Sequence, residues 1–203
     1  MNGDDQERRK FLWLAASVVL LSWLLREQFV LFTHVVAPIR GDVRQYVAYA
    51  WNLVHHHTFS NADPGSTAVL PDAFRGPGYP LFLAGSLFVA GEGSGWYLLT
   101  LQIQALLGAA TVALTMLLGR HWLSRKATLC AGLLMAFWPH HIAATGAVLS
   151  EVLFGFLLVL ALWLTAEAAR RKRTAWAAIA GLIFGAAYLN RGIRSHTGRS
   201  RSC

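Results

Sequence analysis

Charge is scarce in this chain, and negative charge is scarcest. Of 203 residues only ten are Asp or Glu, and charged residues of either sign make up 14%, where a soluble domain carries nearer a quarter. Cysteine is almost absent. Cys130 lies in an apolar segment and Cys203 is the last residue, which excludes a disulfide framework or a Cys-based metal site. No P-loop or dinucleotide fingerprint occurs: GEGSG at 91–95 lacks the strand, the helix-opening spacing and the Lys that such motifs need. Internal repeats of the kind that build inverted transporter halves are also missing.

What is present is apolar. Hydrophobic residues make up 55% of the chain, with eight Trp and five Tyr of the type that sits at membrane interfaces. A hydrocarbon core of roughly 30 Å needs about 20 apolar residues per helix. The first such run, Phe11 to Leu25, follows the basic Arg8, Arg9 and Lys10, is interrupted by Arg26 and Glu27, and resumes to Ala37. A cleavable signal peptide would share that layout, but no small-x-small site follows Leu25. A tilted first span is expected instead, with Arg26 and Glu27 pairing or facing the protein interior. Trp96–Gly119, Ala127–Leu149 and Glu151–Ala169 are long enough to cross, and Ala175–Asn190 is a slightly short fifth candidate. The fold class expected is all-α, a polytopic transmembrane helical bundle of about five spans.

Residues 38–95 differ from the rest. Val43, Tyr46, Val47, Ala50, Trp51 and Val54 recur at three- and four-residue spacing, the pattern of an amphipathic helix. It is too polar to span and is expected along the interface. Turn-rich sequence follows (NADPGSTAVLPD, then FRGPGYP), and then LFLAGSLFVAG, too short to cross a bilayer and read as a second interfacial or re-entrant helix.

The net charge of +8 belongs to topology rather than to nucleic-acid binding. Arg8–Lys10, Arg120–Lys126 and Arg170–Arg173 fall on one side of the membrane if the N-terminus is inside, while residues 38–95 carry three Arg against four acids on the other. That pattern predicts a cytoplasmic N-terminus, a bacterial-type inner (plasma) membrane location and an extracytoplasmic long loop. The tail RGIRSHTGRSRSC breaks it, placing four Arg outside after a fifth span. Residues 191–203 are therefore expected to be a disordered or mis-framed tail.

Carboxylates near a membrane are costly to bury and so are functional candidates. Asp42 stands at the start of the interfacial helix, where capping is the plainer role. Glu151 opens the fourth span, where it also complements the helix dipole. Arg75 and Tyr79 flank RGPGYP; Arg75 suits either a phosphate or a loop anchor at the headgroups. His140 follows Pro139 as a site-lining candidate. His55, His56 and His57 point about 100° apart on a helix and cannot share one metal without unwinding.

Together these pieces resemble a known family. A first span, then GD…Y…A…NL…F, then R-x-PGYP-LFLA, then Pro139 with LSEVLFGFLLVLAL, and finally GLIFGAAYLNR resemble the polyprenyl-phosphate-dependent glycosyltransferases of the GT-C fold. That superfamily includes the protein O-mannosyltransferases and the bacterial aminoarabinose transferase. The resemblance covers roughly residues 10 to 191. It implies transfer of a sugar, with inversion, from a lipid-linked donor to an extracytoplasmic glycan, lipid or protein acceptor. It implies that Asp42 is the catalytic acidic residue of the first external loop, serving the acceptor as base or through a divalent metal. Tyr46, Arg75, Tyr79, His140 and Glu151 are the residues expected to bind substrate. No metal site is assigned and no nucleic-acid partner is expected.

Two departures stand out. Many relatives carry an Asp-Glu pair where Asp42 is followed by Val43, and the family continues for further spans. Residues 1–190 are accordingly expected to be the N-terminal part of a transferase domain, inactive as truncated. A transporter or permease fragment, or a small non-catalytic adaptor, is the alternative.

Overall fold

The computed structural model describes residues 3–33 and 39–190; residues 34–38, the first four of which the sequence places in the first span, and the tail from 191 lie outside that set. Every regular element among the described residues is helical. They are α1 (Gly3–Phe32), α2 (Asp42–His56), α3 (Gly78–Ala90), α4 (Gly95–Gly119), α5 (Arg125–Ala136), α6 (Pro139–Ala143, extended by a 3₁₀ turn over Ala144–Gly146), α7 (Glu151–Arg171) and α8 (Thr174–Asn190).

Helices α1, α4 and α7 are each long and apolar enough to cross a bilayer. At ~1.5 Å per residue the 21-residue α7 is about 31 Å long. Between them the helices turn Leu14, Leu106, Leu134, Leu162 and Leu182 outward, an apolar surface that only lipid satisfies. The chain is an integral membrane protein, a bundle of helices. The third expected span is not one straight helix: α5 and α6 meet at a 52° bend, because Trp138 is extended just before Pro139, which has no N–H for an intrahelical bond. Taken together the bent pair is long and apolar enough for a fourth crossing, and α8, with 17 residues, remains a shorter apolar helix.

Lipid supplies no hydrophobic drive between helices, so close approach depends on small residues. A Cβ at Gly146 would fall 2.6 Å from the Phe29 ring of α1, and one at Gly78 would fall 2.9 Å from the backbone N of Asn190, pinning α3 to the end of α8. Gly108 of α4 faces Arg26 of α1. That guanidinium is fully buried and forms no ion pair with a carboxylate among the described residues; it donates to the Ser22 carbonyl (2.9 Å), to Ala136 O (3.5 Å) and to His141 Nδ1 (3.1 Å). Arg donates only, so Nδ1 is the acceptor and the His141 proton sits on Nε2. Arg26 thus satisfies a carbonyl left open where α5 ends and holds α6 at the bend.

The two ends of the bundle differ. At one, Arg125 approaches Glu7 (3.4 Å), Arg120 lies over Phe11 (5.7 Å) and His121 faces Glu167 (3.5 Å), so the basic clusters that the sequence separates meet. At the other, Val30, Val43, Tyr46, Ala50, Tyr79, Leu83, Leu101 and Val148 form the main core cluster, which seats α2 and α3 across the ends of α1, α4 and α7.

A methyl at Gly108 would meet Arg26 Nε at 2.5 Å and Cδ at 2.7 Å. Gly108→Ala is expected to lower stability by ~1–3 kcal/mol, read by thermal unfolding in detergent. Gly185→Ala, whose added Cβ meets open space, is expected to be neutral or stabilising.

Candidate functional site

The site is built on the two faces of α2. Val43, Tyr46 and Ala50 face the core. Asp42, Gln45, Tyr49 and Asn52, spaced three, four and three apart, form a second stripe about 100° around the helix. Each member of it grips the loop that follows. Asn52 donates to the carbonyls of Ser60 (3.0 Å) and Ala62 (2.8 Å). Tyr49, fully buried, stacks on Phe59 with centroids 4.2 Å apart, donates its hydroxyl to Asp72 and accepts from the Phe74 N–H (3.1 Å). Arg44, beside the stripe, binds Asp63 through both carboxylate oxygens (2.9 and 2.8 Å).

This lacing delivers Arg75. Its Nε donates to Gln45 Oε1 at 2.6 Å, its Nη2 is ion-paired with Asp42 Oδ1, and its guanidinium lies 5.3 Å from the Tyr46 ring centroid and 5.5 Å from that of Phe74. The Arg75 side chain is 15% exposed while the Asp42 carboxylate is 62% exposed. The cation is therefore fixed and its partner is open to solvent. The capping role considered for Asp42 is not what the structure has: Gly41 is the N-cap, no side chain caps the helix, and Asp42 is its first residue. A positive φ of 58° at position 41 suits Gly and turns the chain so that Asp42 faces Arg75.

Beneath Arg75, Tyr46 and Tyr79 meet edge to face at 5.0 Å. Both are buried, so they form the floor of the site and not its surface. The Tyr79 hydroxyl donates to Gln104 Oε1 (2.8 Å), and Gln104 Nε2 donates to the Ala147 carbonyl (2.8 Å). Burial, with the nearby charge of Glu151, pushes the Tyr79 hydroxyl well above its usual range, keeping it a donor. Glu151 is exposed at the start of α7 and Ser150 is its N-cap. His140 lies exposed on α6 at the same end of the bundle but makes no described contact with the Asp42–Arg75 pair. Thus Asp42, Tyr46, Arg75 and Tyr79 converge, Glu151 borders them through Tyr79, and His140 stands apart.

The histidine run diverges. His55 stacks on Trp51 (4.1 Å) and lies 3.6 Å from Glu92, whereas His57 ends α2 in the left-handed region. Among the described residues no group of three His, Cys, Asp or Glu could hold a metal. Asp42 has a guanidinium beside it where a cation site would need a second anionic donor, so the residues present do not fit a divalent metal.

Sequence reasoning passed over Gln45, Tyr49, Asn52, Asp72 and Gln104. The polar 42-45-49-52 stripe was a signal for the first three, at the same helical spacing as the apolar stripe. Asp72 read as ordinary loop, and nothing local marks Gln104.

Burial by itself would raise the Asp72 carboxyl, but hydrogen bonds from Tyr49 and from the Asn61 and Phe74 N–H groups hold it below the usual carboxylate range; Tyr49, buried and bonded to Asp72, is pushed up to about 12. A depressed carboxyl stabilises the fold above its unfolded pKa, and that contribution is lost as pH falls through the folded value. A raised phenol stabilises it below its unfolded value of about 10, and that contribution fades as pH climbs toward 12. The Tm of the protein is therefore expected to fall at both extremes more steeply than that of Tyr49→Phe, with the difference at the alkaline end confined to about pH 10–12; parallel profiles would exclude the Tyr49–Asp72 bond as the cause.

Comparison with known proteins bears on the same segments. The family model for dolichyl-phosphate-mannose-protein mannosyltransferase matches residues 74–194, more than half of the chain. That stretch contains Arg75, Tyr79, Gln104, His140 and Glu151, while Asp42 and Tyr46 precede it. No curated protein and no solved structure matches the chain. With apolar helices long enough to cross a bilayer and a family match over most of the bundle, this chain is a membrane glycosyltransferase of mannosyltransferase type, a member of the dolichyl-phosphate-mannose-protein mannosyltransferase family.

Proposed function

We propose that the protein transfers a sugar from a polyprenyl-phosphate donor to the hydroxyl of an extracytoplasmic acceptor, at the end of the bundle where α2 and α3 lie. The observation that carries this reading is the Asp42–Arg75 pair, a solvent-open carboxylate held by a rigidly positioned guanidinium. Arg75 binds the donor phosphate, for which a guanidinium is geometrically suited. The phosphate competes for the Nη2 that Asp42 occupies and so releases the carboxylate as the donor arrives. Asp42 then takes the acceptor's hydroxyl proton. The acceptor oxygen forms its bond to the anomeric carbon from the face opposite the phosphate, the carbon–oxygen bond to phosphate breaks, and the electron pair leaves on a phosphate oxygen beside Arg75. Configuration is inverted. Tyr46 and Tyr79 support Arg75 from below, and Glu151 borders the acceptor side.

The family description supports mannose as the first sugar to test and protein as the first acceptor; a glycan or lipid acceptor fits the same chemistry. The basic clusters gathered at the opposite end support a cytoplasmic N-terminus in a bacterial-type inner membrane, with Asp42 and Arg75 outside.

The test is sugar transfer from a radiolabelled polyprenyl-phosphate sugar in membranes holding the whole chain. Asp42→Asn is expected to lose roughly 10²–10⁴-fold in rate while accumulating in the membrane at the normal level. Arg75→Lys is expected to raise the donor KM more than the acceptor KM. Undiminished transfer by Asp42→Asn would remove Asp42 from the mechanism.

A further inference from the structure

The basic end of the bundle carries a cavity that sugar transfer at Asp42 does not use. It has a volume of about 350 Å³ and is lined by Leu117, Arg120, His121, Trp163, Glu167 and Arg170, a size at the lower end of the ~300–1,000 Å³ typical of small-molecule sites. One carboxylate organises it. Glu167 is 8% exposed and is held by Arg170 Nη2 (2.8 Å), Arg171 Nε (2.6 Å) and His121 Nε2 (3.5 Å). Two guanidiniums, Arg120 and Arg170, line the cavity with this single carboxylate, while Arg171 binds the carboxylate from outside the lining. The lining therefore carries one positive charge in excess, and Arg120 forms no ion pair with a carboxylate among the described residues. Such a charge excess in a partly enclosed pocket calls for an anion.

Depth and shape narrow the choice. Trp163 lines the cavity, Trp176 packs against it with centroids 6.3 Å apart, and Trp13 and Trp122 stand exposed on nearby segments; indoles at a helix-bundle end sit at headgroup level. Leu117 and Arg120 also line a neighbouring groove of about 180 Å³ between α1 and α4, walled by Ala16, Val19, Ala113 and Met116. A polar, cationic pocket thus lies next to an apolar groove between α1 and α4, with Leu117 and Arg120 lining both.

We infer that this end of the protein binds a phosphate-bearing anionic lipid, with its headgroup among Arg120, Arg170 and His121 and an acyl chain along the α1–α4 groove. Basic pockets between transmembrane helices recognise anionic headgroups in this way. The site lies at the opposite end of the bundle from Asp42 and Arg75, and binding there is independent of whether they transfer sugar.

The purified whole chain, in a zwitterionic detergent, can be titrated with phosphatidylglycerol, with phosphatidylcholine of the same acyl chains and with inorganic phosphate, following thermal shift and native mass spectrometry. Saturable binding is expected for phosphatidylglycerol and not for phosphatidylcholine. Arg120→Gln is expected to weaken it roughly fivefold, whereas Arg125→Gln, the same charge change at the same end but outside the cavity, leaves it unaltered. Ala16→Phe, which fills the groove from its lipid-facing side, weakens the lipid without altering any response to phosphate. Equal binding of the two lipids, or equal loss in the Arg120 and Arg125 variants, overturns the inference. A response to inorganic phosphate that Arg120→Gln abolishes, with no added affinity for the lipid, assigns the pocket to soluble phosphate and overturns the acyl groove.

Discussion

Gln104 uses both ends of its amide in a part of the molecule that water does not reach. Its oxygen accepts from the Tyr79 hydroxyl of α3 and its nitrogen donates to the carbonyls of Thr145 (3.4 Å) and Ala147 (2.8 Å). An unpaired amide there would cost several kcal/mol in hydrocarbon. The side chain therefore ties α3, α4 and the turn before α7 into one arrangement. The floor under Arg75 depends on it: with Tyr79 held, Tyr46 packs edge-on against it and Arg75 rests over Tyr46. A Leu at 104 would satisfy hydropathy but leave the Tyr79 hydroxyl and two carbonyls without this partner.

The same rule accounts for Arg26. A guanidinium inside a helical bundle is expensive and persists only where its donors find acceptors. The bend between α5 and α6 exposes carbonyls that a straight helix would have used internally, and Arg26 takes the one at Ala136. Charge and bend are thus one feature: a straight span over 127–149 would leave Arg26 without an acceptor there, and an apolar residue at 26 would leave the break without a donor.

The Asp42–Arg75 end and the basic end are separated by the length of α7, whose first residue, Glu151, lies toward Tyr79 and whose last turn carries Arg170, which lines the cationic cavity. Both ends are organised around a carboxylate and arginine, with opposite exposure. Asp42 is open and its Arg is covered; Glu167 is covered and its Arg residues are partly open. The first arrangement leaves the carboxylate open to solvent and the cation committed. The second leaves cations accessible and the carboxylate committed.

Apolar run length and helical period are local properties. On that ground the sequence by itself determined that the chain is a helical membrane bundle, that the stretch from Val43 to Val54 forms an amphipathic helix too polar to cross, and that the stretch after RGPGYP is a short apolar helix. The resemblance of its motifs also reached the family. Tertiary structure decided the rest, because the deciding contacts join residues far apart in the chain. Arg75 meets Asp42 across 33 positions, and Arg26 reaches Ala136 and His141 across 110 and 115. A carboxylate at the start of a helix looks like a cap from its neighbours alone. Only the folded loop, laced down by Tyr49 and Asn52, brings the arginine that gives Asp42 a different partner.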